Sequence, residues 1–189
     1  LLAHFPIAPE AALAVVQRLR AVVPDGAFAV EWPDRFGHEP AYITRWPLGD
    51  DTVVDHVEAL LATPPIKLLL RGAPEGDGPD VLVARARDAV GHLVEITHSS
   101  SSDTLLEMSA LGVSKGSGLA ALCAQRGIDA ADVIAFGDMP NDLPMLAWAG
   151  CGIAMANAHP AVLAAADEVT TANEQGGVAA VLEARLRVG

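Results

Sequence analysis

The string Gly137-Asp138-Met139-Pro140-Asn141-Asp142 gathers two carboxylates and an amide within a few residues. It follows the apolar run Val133-Ile134-Ala135-Phe136, which reads as a strand. Asp138 therefore falls at the carboxyl edge of a sheet, where open α/β folds bind ligands. Pro140 is placed to open a helix, and Asp142, four residues after Asp138, then faces the same crevice within the first turn. Two hard oxygen ligands in that position suit Mg²⁺, which takes one or two carboxylates and completes its octahedron with water and phosphate oxygens. Asn141 could donate a hydrogen bond to a phosphate oxygen or orient an aspartate. Taken alone, the same string is equally a helix start stabilised by acidic residues, an effect of up to about 1 kcal/mol. On these residues both readings stay open.

A second group lies upstream in Gly112-Val113-Ser114-Lys115-Gly116-Ser117-Gly118. Ser114 suits a helix N-cap, which leaves a cation and a helix-weakening glycine in the first turn, where the helix dipole disfavours positive charge. A lysine beside exposed backbone N–H groups forms a phosphate-binding corner. The plainer alternative is a solvated surface lysine. Of the 12 basic residues only Lys67 and Lys115 are lysine, so one of these two positions calls for a compact ammonium.

The elements that must position these groups read as mixed α/β. Pro9 to Val23 has helical spacing through Ala12, Val15, Val16, Leu19 and Val23. Strands are expected at Ala27 to Glu31, Ala41 to Thr44, Ile66 to Arg71 and His92 to Thr97, with helices at Asp50 to Leu61 and Pro79 to Val90. The serine run Ser99 to Ser102 reads as an exposed connection, and a domain boundary is placed there. Beyond it strands at Leu105 to Met108, Val133 to Phe136, Cys151 to Met155 and Glu168 to Thr170 alternate with helices at Lys115 to Arg126, Pro140 to Ala147, Pro160 to Ala165 and Gly176 to Arg187. That alternation predicts a parallel, doubly wound sheet.

With 189 residues and 51% hydrophobic composition the chain can bury a substantial core. The net charge of −12 argues against nucleic acid and anionic membrane surfaces as partners. No apolar run reaches the roughly 20 residues of a membrane span and no basic-flanked leader opens the chain, so a cytoplasmic protein is expected. Cys123 and Cys151 fit buried free thiols. His4, His38, His56, His92, His98 and His159 show no metal-ligand spacing in the sequence.

From Leu105 onward the chain resembles the Cof-type branch (subfamily IIB) of the haloacid dehalogenase superfamily. The resemblance rests on Leu106-Glu107-Met108, Gly112-Val113-Ser114-Lys115-Gly116, Ala135-Phe136-Gly137-Asp138-Met139-Pro140-Asn141-Asp142 and Ala154-Met155-Ala156-Asn157-Ala158, in that order. It implies the C-terminal part of a Rossmann-like parallel core over 104–189 and, more loosely, an α/β cap over 1–103. By the same resemblance Lys115 is the catalytic lysine of the third motif, and Asp138 and Asp142 hold Mg²⁺. Asn141 and Asn157 then lie at the phosphate, together with Lys115.

The implied reaction is phosphate monoester hydrolysis of a sugar phosphate or other small phosphorylated metabolite through an aspartyl-phosphate. The Asp-x-Asp nucleophile motif that the family carries near its amino terminus has no counterpart here. Asp50-Asp51-Thr52 and Asp77-Gly78 both lack the strand-end context. The chain thus reads as a fragment of a longer enzyme, inactive alone, its core sheet completed by a missing N-terminal segment or a second chain. A phosphomutase of the same branch would keep every residue named, and a non-catalytic phosphate-binding fragment would explain the missing nucleophile. Trp32, Arg35, Tyr42, Arg45 and Trp46 are candidates for facing the leaving group, with Arg35 or Arg45 pairing a second anion, against the plainer reading of core packing for the aromatics and solvent for the arginines.

Overall fold

The computed structural model describes residues 4–45, 47–72, 78–100 and 103–186. The expectations that touch Trp46, Asp77, Ser101, Ser102 and Arg187 lie outside those residues. The chain divides into two compact units, Leu1–Val113 and Ser114–Gly189. Among the described residues no helix is long and apolar enough to cross a membrane.

The first unit runs α1 (Pro9–Val22), β1 (Ala27–Glu31), β2 (Phe36–His38), β3 (Val53–Val54), α2 (Val57–Leu60), β4 (Lys67–Arg71), α3 (Pro79–Val90), β5 (Val94–Thr97) and β6 (Leu105–Ala110). Its sheet has the order β3-β2-β1-β4-β6-β5, antiparallel except for the β2–β3 pair. Strand alternation divides its residues between two faces. Phe28, Val30, Leu68, Leu70, Val94, Ile96, Leu106 and Met108 pack with Val15, Val16 and Leu19 of α1 and with Leu82, Ala86 and Val90 of α3. The opposite face carries Ala27, Ala29 and Leu69 under Tyr42, with Phe36 and Leu105 alongside.

Two expectations for this unit are corrected. Ala41 to Thr44 is not a strand; the hairpin partner of β1 is Phe36–His38, joined by a tight turn in which the Trp32 N–H donates to the Arg35 carbonyl at 3.0 Å. Pro33-Asp34 forms that turn, and Pro40, lacking an N–H, follows soon after the strand. A Cβ on Gly37 would lie 2.8 Å from the Trp32 ring, so the glycine makes room for the indole.

The expected helix Asp50 to Leu61 shortens to Val57–Leu60. Ahead of it Thr52 Oγ1 donates to the Gly49 carbonyl and Asp55 Oδ1 accepts from the His56 N–H, side-chain bonds that compete with a helix. Val53 and Val54, β-branched, join the sheet edge instead.

The second unit runs α4 (Lys115–Arg126), β7 (Ile134–Gly137), α5 (Leu143–Trp148), β8 (Cys151–Met155), α6 (Pro160–Ala165), β9 (Glu168–Thr170) and α7 (Gly177–Leu186). Its sheet is parallel, in the order β7-β8-β9 with β7 at an edge, and Ala135, Leu146, Ala154, Met155 and Val162 form its core. The compact units divide at Val113/Ser114, whereas the expected boundary lies at 103/104. Leu105 to Met108 does form a strand, but it pairs antiparallel with β4 and β5, with Met108 opposite both Leu68 and Ile96. A strand followed directly by a helix carries no mark of which sheet it joins, and the α/β alternation begins only at α4.

Candidate functional site

The site is built at the carboxyl ends of the three parallel strands, each of which delivers one polar residue. Asp138 follows β7, Asn157 follows β8 and Asn173 follows β9. Asn157 Oδ1 accepts from the Asn173 backbone N–H at 2.9 Å, and Asn173 Nδ2 donates to Asp138 Oδ2 at 2.9 Å. The His159 N–H donates to the Asp138 carbonyl at 2.8 Å, which ties the loop after β8 to the end of β7. The Asp138 carboxylate is thus oriented by a two-step amide relay while remaining half-buried.

Asp142 has a different setting. Pro140–Asp142 forms a 3-10 turn before α5, and Asp142 is buried. Its Oδ2 accepts from the backbone N–H groups of Asp138 and Met139 at 3.0 and 3.1 Å, and its Oδ1 from Lys115 Nζ at 2.5 Å. Gly137 permits this fold-back, because a Cβ there would meet Asp142 Cβ at 2.5 Å. The motif is therefore both a strand-end carboxylate and a helix-start cap: Asp142 accepts from the backbone N–H groups of the turn, and the Asp138 carboxylate stands half-buried beside it.

Lys115 stands at the first position of α4, whose N-cap Ser114 exchanges hydrogen bonds with Ser117 in a capping box. The Asp142 carboxylate offsets the unfavourable placement of a cation at a helix N-terminus. Gly116 makes the approach possible. A Cβ on it would lie 2.4 Å from the Pro144 carbonyl oxygen, so a side chain would push α4 off α5 and carry Lys115 away from Asp142. Gly118 faces open space, and nothing in the structure explains it. With its side chain 49% exposed, Lys115 keeps ammonium donors for a ligand. The other lysine, Lys67, pairs with Glu107 at 2.8 Å on the first unit's sheet.

Of the residues expected from sequence, Lys115 and Asp142 touch each other, and Asp138 and Asn157 connect through Asn173. Asn141 Oδ1 is enclosed with no hydrogen-bond partner. As an acceptor this oxygen suits a bound cation or an incoming donor, and the amide nitrogen of the same side chain is the group that could donate to phosphate. Asn173 was missed in the sequence, although a small polar residue shortly after Val169-Thr170 repeats the placement of Asp138 and Asn157. Trp32 is buried, donating Nε1–H to the Thr63 carbonyl at 2.9 Å, and Arg35 lies over its ring. Cys123 is buried as expected, whereas Cys151 is half-buried, its Sγ 3.6 Å from Glu168 Oε1.

The profile of the family described as haloacid dehalogenase-like hydrolase matches residues 50–182. The chain belongs to this family. Among curated relatives it is similar to the 5-amino-6-(5-phospho-D-ribitylamino)uracil phosphatase YitU of Bacillus subtilis, 42% identical over 104 residues, 55% of this chain and 34% of that protein. It is also similar to a phosphoglycolate phosphatase of Methanopyrus kandleri, 49% identical over 70 residues, 37% of this chain and 30% of that one. Among solved structures the subclass IIB sugar phosphatase BT4131 of the haloacid dehalogenase superfamily matches with a TM-score of 0.76 at 17% identity, over 96% of this chain and 68% of that one. This last likeness shows the haloacid dehalogenase fold with its α/β cap. The matches to the two curated phosphatases span about a third of their lengths.

Proposed function

We propose that the chain is the cap and the metal- and phosphate-binding part of a Mg²⁺-dependent phosphate monoester hydrolase acting on a small phosphorylated metabolite, such as a sugar phosphate. The observation that carries this reading is the Lys115–Asp142 pair lying beside the strand-end carboxylate of Asp138, whose N–H donates to the same Asp142. In this reading the first unit is the cap and the second is the C-terminal part of the core. The nucleophile lies outside the chain, on a further parallel strand that the β7 edge receives.

The donor set fits a hard cation. Asp138 offers a half-buried carboxylate and Asn141 an enclosed, unpartnered amide oxygen, so both groups are oxygen ligands of the kind Mg²⁺ prefers. Asp138 would hold the ion directly, with Asp142 fixed behind it; when bound, the ion neutralises phosphate charge and polarises its oxygens. Lys115 binds another phosphate oxygen and stabilises the charge that develops as the ester bond breaks. Asp142 keeps the ammonium in place, and Asn173 prevents the Asp138 carboxylate from rotating. Asn157 acts through Asn173.

The test is hydrolysis of a generic phosphate ester by the full gene product. Activity is expected to vanish on chelation, and Lys115→Ala to reduce turnover about a hundred- to a thousand-fold. Asn173→Ala is expected to weaken metal affinity about tenfold with far less effect on folding. Full turnover in chelator, or in Lys115→Ala, removes the reading.

A further inference from the structure

Arg71 ends β4 and turns to the sheet face away from the helices. It is 8% exposed. A guanidinium has five N–H donors in a planar fork, and buried ones are ordinarily matched by acceptors. Among the described residues Nη1 donates to Asp103 Oδ1 at 2.5 Å, while Nε and Nη2 are enclosed and make no well-aligned hydrogen bond. Those two nitrogens form one complete edge of the fork, the edge that receives two oxygens of one carboxylate or phosphate side by side. The guanidinium lies over the Tyr42 ring, 5.3 Å from its centroid, and close enough to the Tyr42 hydroxyl to act on it, although that hydroxyl too is enclosed without a well-aligned hydrogen bond among the described residues.

The surroundings favour an anion. Arg45 Nη2 reaches the same Asp103 oxygen at 3.4 Å, so two cations share one carboxylate and the cluster keeps a net positive charge within a chain of net charge −12. The strand neighbours of Arg71 are Ala27 on β1 and Leu105 on β6, and neither side chain offers the guanidinium an acceptor. A purely structural arginine in this place would be saturated by its own chain. Asp103 instead takes one corner of the fork and leaves the other edge whole, which is how a receptor arginine is held in orientation.

We propose that the Nε–Nη2 edge of Arg71, with the Tyr42 hydroxyl, is a binding site for one oxyanion, a carboxylate or a phosphate group of a small molecule, with Arg45 as the outer cation. This site stands within the first unit and does not depend on the phosphatase reading.

Tyr42 is the only tyrosine of the chain, so ring-¹³C-tyrosine labelling reports on the site through a single residue. The labelled chain is titrated with inorganic phosphate and, separately, with malonate, against sodium chloride at matched ionic strength. A saturating shift with phosphate or malonate but not chloride is expected, and the tighter of the two names the class of anion. Arg71→Lys keeps the charge but removes the fork and is expected to abolish saturation. Arg45→Gln, at a side chain 59% exposed, is expected to weaken binding several-fold and leave the methyl spectrum of the fold unchanged. If Arg71→Lys does not fold, Arg45→Gln decides. A linear response equal to that of chloride overturns the proposal, as does saturation unchanged in a folded variant.

Discussion

The two units solve opposite problems. In the first, α1 and α3 cover one face of a six-stranded sheet with Phe28, Leu68, Leu70, Leu106 and Met108 fully enclosed, and stability comes from apolar burial. In the second, a three-stranded parallel sheet has a core of small residues such as Ala135 and Ala154, and its carboxyl edge is held by Asp138, Asp142, Lys115 and two asparagines. Helix α7 there leaves Val178, Leu182 and Leu186 exposed along one side. Where side chains must remain available for chemistry, the polar contacts that orient them also hold the local backbone, and less of the unit is left to pack.

The sharpest way to break that contrast is Phe28→Ala. It should destabilise the first unit by about 3–5 kcal/mol in denaturant melts while amide exchange in β7 and β8 is unchanged; a joint loss of protection would show the two cores to be one cooperative unit. Asp142→Ala removes the acceptor for two backbone N–H groups and leaves Lys115 alone at a helix start. A loss of about 2–4 kcal/mol is expected, confined to exchange in the second unit. A loss below that of an ordinary surface substitution would reduce Asp142 to a solvated cap.

Gly116→Ala tests whether the approach of α4 to α5 is as tight as the 2.4 Å contact implies, with about 1–3 kcal/mol of overpacking strain expected and the Lys115 ammonium displaced from Asp142 in the NMR spectrum. The smallest effect is a pH dependence of the first unit. Burial raises the Tyr42 hydroxyl above its ordinary 10.0, although the Arg71 charge opposes this. Burial works to lower Lys67, yet its hydrogen bond to Glu107 and the charges of Glu107 and Glu31 leave it raised. Both groups hold their protons longer when folded, so their contribution is complete below the ordinary values and is lost as pH rises through the raised ones. Thermal midpoints of the first unit should therefore fall more steeply above about pH 10 than those of Tyr42→Phe.

Periodicity was enough to place α1, α3 and α4 and the alternating elements of the second unit, because each has apolar residues at a spacing only one kind of element satisfies. It misplaced β2, β3 and the sheet membership of β6. Phe36-Gly37-His38 is made a strand by its pairing with Glu31 and Val30, and Leu105 to Ala110 joins the first sheet through partners distant in sequence. Pairing of that kind leaves no local mark. Within the candidate site, Lys115, Asp138 and Asp142 stand out in the sequence, and the structure brings Lys115 and the Asp138 N–H onto the Asp142 carboxylate. The division of labour between the two aspartates was not legible in the sequence, since it depends on which backbone N–H groups fold onto Asp142. Gly116 was visible only as a defect, and its reason lies in the carbonyl of Pro144, 28 positions further along.

The amide relay to Asp138 consists entirely of uncharged donors, whereas Asp142 meets an ammonium. Dissolved salt screens the second kind of contact and leaves the first nearly untouched. As ionic strength rises, the half-exposed Lys115 should hold the buried Asp142 somewhat less tightly, a pair at contact distance being screened only in part, while the Asp138 carboxylate keeps its direction. The two halves of the site thus answer to different solvents: one to the concentration of ions, the other only to the integrity of three strand ends.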